Sequence, residues 1–87
     1  MRKNKVDPRI ARDIVQYIMI PKIKYAREIG TYASYGIAAY NSFSRDIVAS
    51  VPDVSSDRDT VLHIVEMFNR HQLSPIHLEE AIRDMLL

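Results

Sequence analysis

The hydrophobic positions of this chain change period twice, from helical spacing to alternation and back to helical spacing. In the first stretch Ile10, Ile14, Val15 and Ile18 recur at helical spacing, with Arg9, Arg12, Asp13 and Gln16 on the opposite face. Asp7 is a good N-cap, and Pro8 fits the first helical position, where its missing N–H costs nothing. The pattern predicts a helix from Pro8 to about Met19, stopped by Pro21, which disfavours the α conformation at Ile20.

From Lys22 the period falls to two. Ile23, Tyr25 and Ile29 lie on one side and Lys22, Lys24, Ala26 and Glu28 on the other, as in a half-buried strand. Gly30-Thr31 marks a turn, Ala33 to Tyr40 a second strand with Tyr35, Ile37 and Ala39 on one face, and Asn41-Ser42 another turn. Arg45 to Val51 follows with Ile47, Ala49 and Val51 in phase. Tyr25, Ile29, Tyr32, Gly36 and Tyr40 also sit near helical spacing, so a helix is the alternative here. Gly30 and Gly36 favour strands, since each costs about 1 kcal/mol inside a helix.

The last third returns to the helical period. Ser56 is the expected N-cap, with Asp59 three residues on, and Val61, Ile64, Val65 and Phe68 line one face beside Leu62. Arg70 and His71 suit the negative pole of a helix running from Asp57 to about His71. A second helix is expected after Leu73-Ser74-Pro75. Ser74 is its N-cap, Pro75 its first position, and Leu73 can staple onto Leu78. Glu79 and Glu80 fall at its positive pole, and Leu78, Ala81, Ile82, Met85 and Leu86 form its apolar stripe. Two helices on so short a link must pack as a hairpin or a corner.

The expected fold is therefore α+β: an N-terminal helix, a three-stranded antiparallel meander, and a C-terminal helical hairpin packed on the sheet. Leu62, Val65, Phe68, Leu73, Leu78, Ile82 and Met85 are the expected core. At 87 residues the chain is one small domain spanning 1–87, with residues 1–6 a candidate disordered lead.

Composition narrows the function classes. The chain has no cysteine, which excludes a disulfide framework, a thiolate metal site and thiol catalysis. Its apolar runs, of which Ile18-Met19-Ile20 is one, are far short of a membrane span of roughly 20 residues. The basic start, Met1 to Lys5, is followed by Asp7, Arg9, Arg12 and Asp13 where a secretion signal needs an apolar run, so a cytoplasmic protein is expected. The net charge of +1 hides a split. Residues 1–30 carry eight basic side chains against three acidic, and residues 31–87 carry four against eight. Such asymmetry suggests an electrostatic partner for the first third, or attraction between the two parts within or between chains.

Candidate chemistry is sparse. Asp53-Val54-Ser55-Ser56-Asp57-Arg58-Asp59 starts like a calcium loop, but that loop needs glycine at its sixth position and an acid at its twelfth, where Arg58 and Ile64 stand. His63 and His71 lie about 12 Å apart along a helix, too far to share an ion, and His77 suits the hairpin corner. Nucleophile motifs and glycine-rich phosphate loops are absent, and Ser34 and Ser42 have no identifiable base. The chain is thus expected not to be an enzyme and to need no cofactor or metal. Groove reading of DNA by the C-terminal helices is disfavoured, because Glu79, Glu80 and Asp84 outnumber Arg83 on the second.

Two partner readings remain. One is self-association or another protein partner, typical of a small domain with a one-sided sheet. The other is weak nucleic-acid binding through residues 2–27, with Lys22, Lys24 and Arg27 as the candidate polyanion-binding residues and Tyr32 and Tyr35 as stacking surfaces.

Tyr35-Gly36-Ile37, Asp53-Val54-Ser55, Asp57, Val61, Val65, Asn69, Leu73-Ser74-Pro75, His77-Leu78 and Asp84-Met85-Leu86 also form a wider pattern. Over residues 32–87 it resembles a family of small uncharacterised bacterial proteins from Firmicutes. That family's motifs are Tyr-Gly-Ile, Asp-Ile-Ser and Leu-Ser-Pro-x-His-Leu, with Val54 here in place of isoleucine. The resemblance implies a shared α+β fold and carries no activity.

Overall fold

A computed structural model of the chain describes residues 15–86. Three strands, β1 (Val15–Ala26), β2 (Gly30–Asn41) and β3 (Asp46–Ser55), form an antiparallel sheet in the order β1-β2-β3. Two helices follow, α1 (Arg58–His71) and α2 (Leu78–Leu86), separated by a 3-10 turn at Pro75–His77. The α+β meander with two C-terminal helices stands as expected.

The predicted helix from Pro8 to Met19 lies outside the described residues up to position 14, and from Val15 the chain is strand. Val15, Tyr17 and Met19 pack on the core with Tyr17 fully buried, so the operative period is two. Pro21 does not stop the element either. It sits opposite Tyr35 within β1, an outer strand where a missing N–H need not break the ladder.

Strands β1 and β2 pair without interruption from Val15↔Asn41 to Ala26↔Gly30. The Ile29 N–H donates to the Ala26 carbonyl at 3.2 Å, and Gly30 follows at φ 82°, the left-handed residue that closes a three-residue hairpin loop. At the next turn the Asn41 side-chain oxygen accepts from the backbone N–H of Phe43 and Ser44 at 2.9 and 3.0 Å. Asparagine is favoured there because its amide oxygen can mimic a backbone acceptor. The β2–β3 register shifts twice, between Tyr35 and Ile37 and between Ala39 and Tyr40.

One sheet face carries the core. Tyr17, Ile37 and Ala39 meet Val61, Ile64, Val65 and Phe68 of α1 and Leu78 and Ile82 of α2 in one buried cluster. Helix α1 packs mainly on β1 and β2, and α2 on β3. The spacing also predicts Leu62 and Met85 in the core. Leu62 is half-buried, and Met85 is exposed together with Leu86, because α2 buries its stripe only at Leu78 and Ile82.

The caps differ from expectation by one residue. Asp57, not Ser56, caps α1, its carboxylate accepting from the backbone N–H of Asp59 and Thr60 at 3.1 and 3.4 Å. At the other end Gln72 adopts φ 52°, with its N–H on the Asn69 carbonyl and the Leu73 N–H on the Phe68 carbonyl, a Schellman arrangement. Ser74 makes no side-chain cap. Its carbonyl instead accepts from the His77 N–H at 3.0 Å to form the 3-10 turn, from which α2 departs.

Candidate functional site

Strand β1 carries three chemically distinct regions, and each is positioned by the alternation of its side chains. The first is a lock at its start. Tyr17 points to the helices, where its ring meets Phe68 edge-on at 5.5 Å and its hydroxyl donates to the Leu73 carbonyl at 2.6 Å. The Asn69 carboxamide grips the same residue's backbone, accepting the Tyr17 N–H at 2.7 Å and donating to its carbonyl at 3.0 Å. Both backbone groups face outward from the edge strand, away from β2, so α1 covers the sheet margin at Tyr17. Burial pushes the Tyr17 hydroxyl up to about 12.

The folded state therefore holds this proton more tightly than the unfolded chain, whose tyrosines titrate near 10. The resulting stability is full below about pH 10 and is lost as pH rises through about 12. Tyr17→Phe is expected to cost about 1 kcal/mol near neutrality and to flatten the alkaline decline. Urea unfolding at about pH 8 and about pH 11 checks this, and an unchanged alkaline slope in the variant counts against the lock as its origin.

The second region is polar. Lys22 and Lys24 occupy the face away from the helices, alternating with the side that carries Tyr17. There the Lys24 ammonium donates to Asp53 Oδ2 at 2.8 Å, and the buried Ser34 hydroxyl donates to Asp53 Oδ1. The hydrogen bond from Lys24, followed by that from Ser34, holds the Asp53 carboxyl below its usual range, and the bond to Asp53 raises Lys24. A carboxylate held by two hydrogen bonds is a weaker base than a free one. The three groups join β1, β2 and β3. Lys24 contributes its charge to this tie, while Lys22 and Arg27, the other two candidate polyanion-binding residues, are exposed. The sequence gives no warning of the Ser34–Asp53 bond, because the register shift that brings β3 over β2 is invisible in it.

The third region is the free end of the β1–β2 hairpin. Helix α1 starts beside the Tyr35↔Ser55 pair, so the hairpin from Lys22 to Ser34 extends past it. Ile23 is 73% exposed, Tyr25 70% and Ile29, in the turn, 69%. A separate groove of about 380 Å³ lies between β3 and the start of α2, floored by Val51 and Pro52 and rimmed by Pro75, Ile76 and Glu79. A second groove, of about 230 Å³, opens on the face away from the helices among Ile20, Ala38, Ile47 and Pro52.

The residues weighed for metal chemistry are otherwise engaged or apart. Asp57 caps α1, Ser55 accepts the Asp57 N–H at 3.0 Å, and Asp53 holds Lys24 and Ser34. His63, His71 and His77 are exposed, and His77 lies 3.9 Å from Glu80. No group of three metal-ligating side chains occurs among the described residues. No helix among them is long and apolar enough to cross a membrane.

These features define a small α+β protein, a three-stranded meander backed by two helices, with exposed apolar side chains at the free end of the β1–β2 hairpin and, among other places, at Phe43 in the β2–β3 turn. The chain belongs to the DUF6514 family, a family of unknown function whose model matches residues 2–87. The match takes in residues 2–31, which the sequence pattern above leaves out. No curated protein and no solved structure matches the chain.

Proposed function

We propose that this protein is a small non-catalytic interaction module that self-associates through the free end of its β1–β2 hairpin. The observation that carries the reading is the exposure of Ile23, Tyr25 and Ile29 together, beyond the reach of the helices that cover the rest of that face. Large apolar side chains scattered singly need no explanation, but three on one projecting hairpin form a surface that water disfavours. A cysteine-free chain suits a reducing compartment, and we take the cytoplasm as its place of work.

Light scattering behind a sizing column, run over a hundredfold range of concentration, tests the reading. The expected mass rises above that of the 10.1 kDa chain, and an Ile23→Lys/Tyr25→Lys variant with an unchanged circular dichroism spectrum stays monomeric. A wild-type chain that remains monomeric at the highest concentration overturns it. Polyanion binding at Lys22, Lys24 and Arg27 is the weaker reading, because Asp53 already compensates Lys24.

A further inference from the structure

We propose that the segment preceding β1, residues 1–14, folds back over the sheet face that the described helices leave open and seats its apolar stripe there. The centre of that face is apolar. Ile18 and Ile20 of β1 stand opposite Ala38 and Gly36 of β2. Ile20, Ala38, Ile47 and Pro52 line the groove of about 230 Å³ on this side. The depression arises because β2 contributes only small residues, Gly36 and Ala38, between larger ones on its neighbours. Ile20 is 38% exposed and Ile47 52%, so both rims present apolar surface to water.

The point where the segment joins the fold selects this face. Strand β1 begins at Val15, opposite Asn41. On the helix side that end of β1 is filled, with Tyr17 and Met19 packed on the core beneath α1. The sheet margin at Tyr17 is covered by Asn69. A chain that turns back at Val15 therefore finds the helix side and the margin occupied and the open face vacant. Ile18 and Ile20 lie roughly 10 and 17 Å along the strand from Val15. The 14 residues of the segment span roughly 46 Å when extended, ample for the turn and the seat. The hairpin end is a poorer seat, since Ile23 lies roughly 26 Å along β1 and on the helix-facing side.

The segment carries the pattern such a seat requires. Val6, Ile10 and Ile14 recur every four residues, with Arg9, Arg12 and Asp13 between them. At helical rise that stripe is about 12 Å long, and three paired strands are about 10 Å across. The family match starts at residue 2, so the segment belongs to the unit the family shares. A tethered segment also meets the groove at an effective concentration on the order of millimolar. It thus needs far less contact area than the roughly 1,200 Å² of a stable union between separate molecules.

A paramagnetic label on the full chain tests the seat. The chain has no cysteine, so Arg9→Cys takes a nitroxide at one position. With carbon-13 in the isoleucine methyl groups, the label is expected to relax Ile20 and Ile47 at least about fivefold faster than Ile76 and Ile82, which lie across a layer of about 10 Å on the helix side. Adding Ile10→Asp/Ile14→Asp to the labelled chain is expected to abolish that difference while the Ile64 and Ile82 signals keep their positions, which shows the fold intact. Mixing labelled chain without carbon-13 with unlabelled carbon-13 chain separates contacts within a molecule from contacts between molecules. Equal relaxation of the two pairs of methyl groups, or none at either, overturns the proposal. So does a difference that survives the Ile10→Asp/Ile14→Asp change. An effect that is equally strong in the mixed sample assigns the face to a second copy and overturns it as well.

Discussion

Gly36→Ala is expected to destabilise the fold by about 3 kcal/mol, through a collision in the sheet. A Cβ at this position comes within 2.6 Å of the carbonyl oxygens of both Val51 and Pro52. Those are main-chain atoms of β3, fixed by pairing on either side of a register shift, so no flexible side chain can yield. Relief requires β3 to move away from β2. That motion pulls Val51 from the core and Asp53 from Ser34 and Lys24 together. Gly30→Ala is the informative contrast. Its φ of 82° strains an alanine by roughly 1–2 kcal/mol, yet nothing lies within 4 Å of its added Cβ. Urea unfolding of the two variants separates collision from backbone strain, and a loss below about 1 kcal/mol for Gly36→Ala shows that β3 gives way freely.

Leu78→Ala is expected to cost about 2–5 kcal/mol. Leu78 is 2% exposed and belongs to the cluster that unites Tyr17, Ile37 and Phe68 with Ile82. It opens α2 directly after the 3-10 turn, so the cavity left by its removal opens where the chain enters that helix. Full collapse of the site is unfavourable because the Leu78 N–H is held by the Pro75 carbonyl. Met85→Ala, on the same helix at a position 37% exposed, is expected to cost less than about 1 kcal/mol. A loss for Leu78→Ala below about 1 kcal/mol contradicts its place in the core, and equal losses at the two positions contradict the stripe as described.

Much of the architecture is legible in residue spacing. Val61, Ile64, Val65 and Phe68 reveal the buried face of α1, and Tyr35, Ile37 and Ala39 reveal the helix-facing side of β2. Two misreadings have definite physical origins. Ile14, Val15 and Ile18 satisfy a helical period, while Val15, Tyr17 and Met19 satisfy an alternating one; the latter operates because a long partner strand is present to pair with it. Ser56 and Asp57 are both good caps, and the shorter reach to Asp59 and Thr60 selects Asp57. The candidate surfaces were less legible. Ile23 and Tyr25 read as the inner face of a strand, which they are in register, but how far the helices extend over that face depends on where β3 ends, at Ser55 opposite Tyr35. The ties Ser34–Asp53 and Tyr17–Asn69 span 19 and 52 residues, and local pattern has no access to such distances.

The two outer strands each contain a proline, Pro21 in β1 and Pro52 in β3, and the Tyr17 backbone is held by Asn69. Neither margin of the sheet therefore presents an unbroken row of donors onto which further chains could be added without end. If copies join through side chains at the hairpin end, as proposed, that union does not lengthen the sheet, and the described strand margins offer no unbroken template for growth by strand addition.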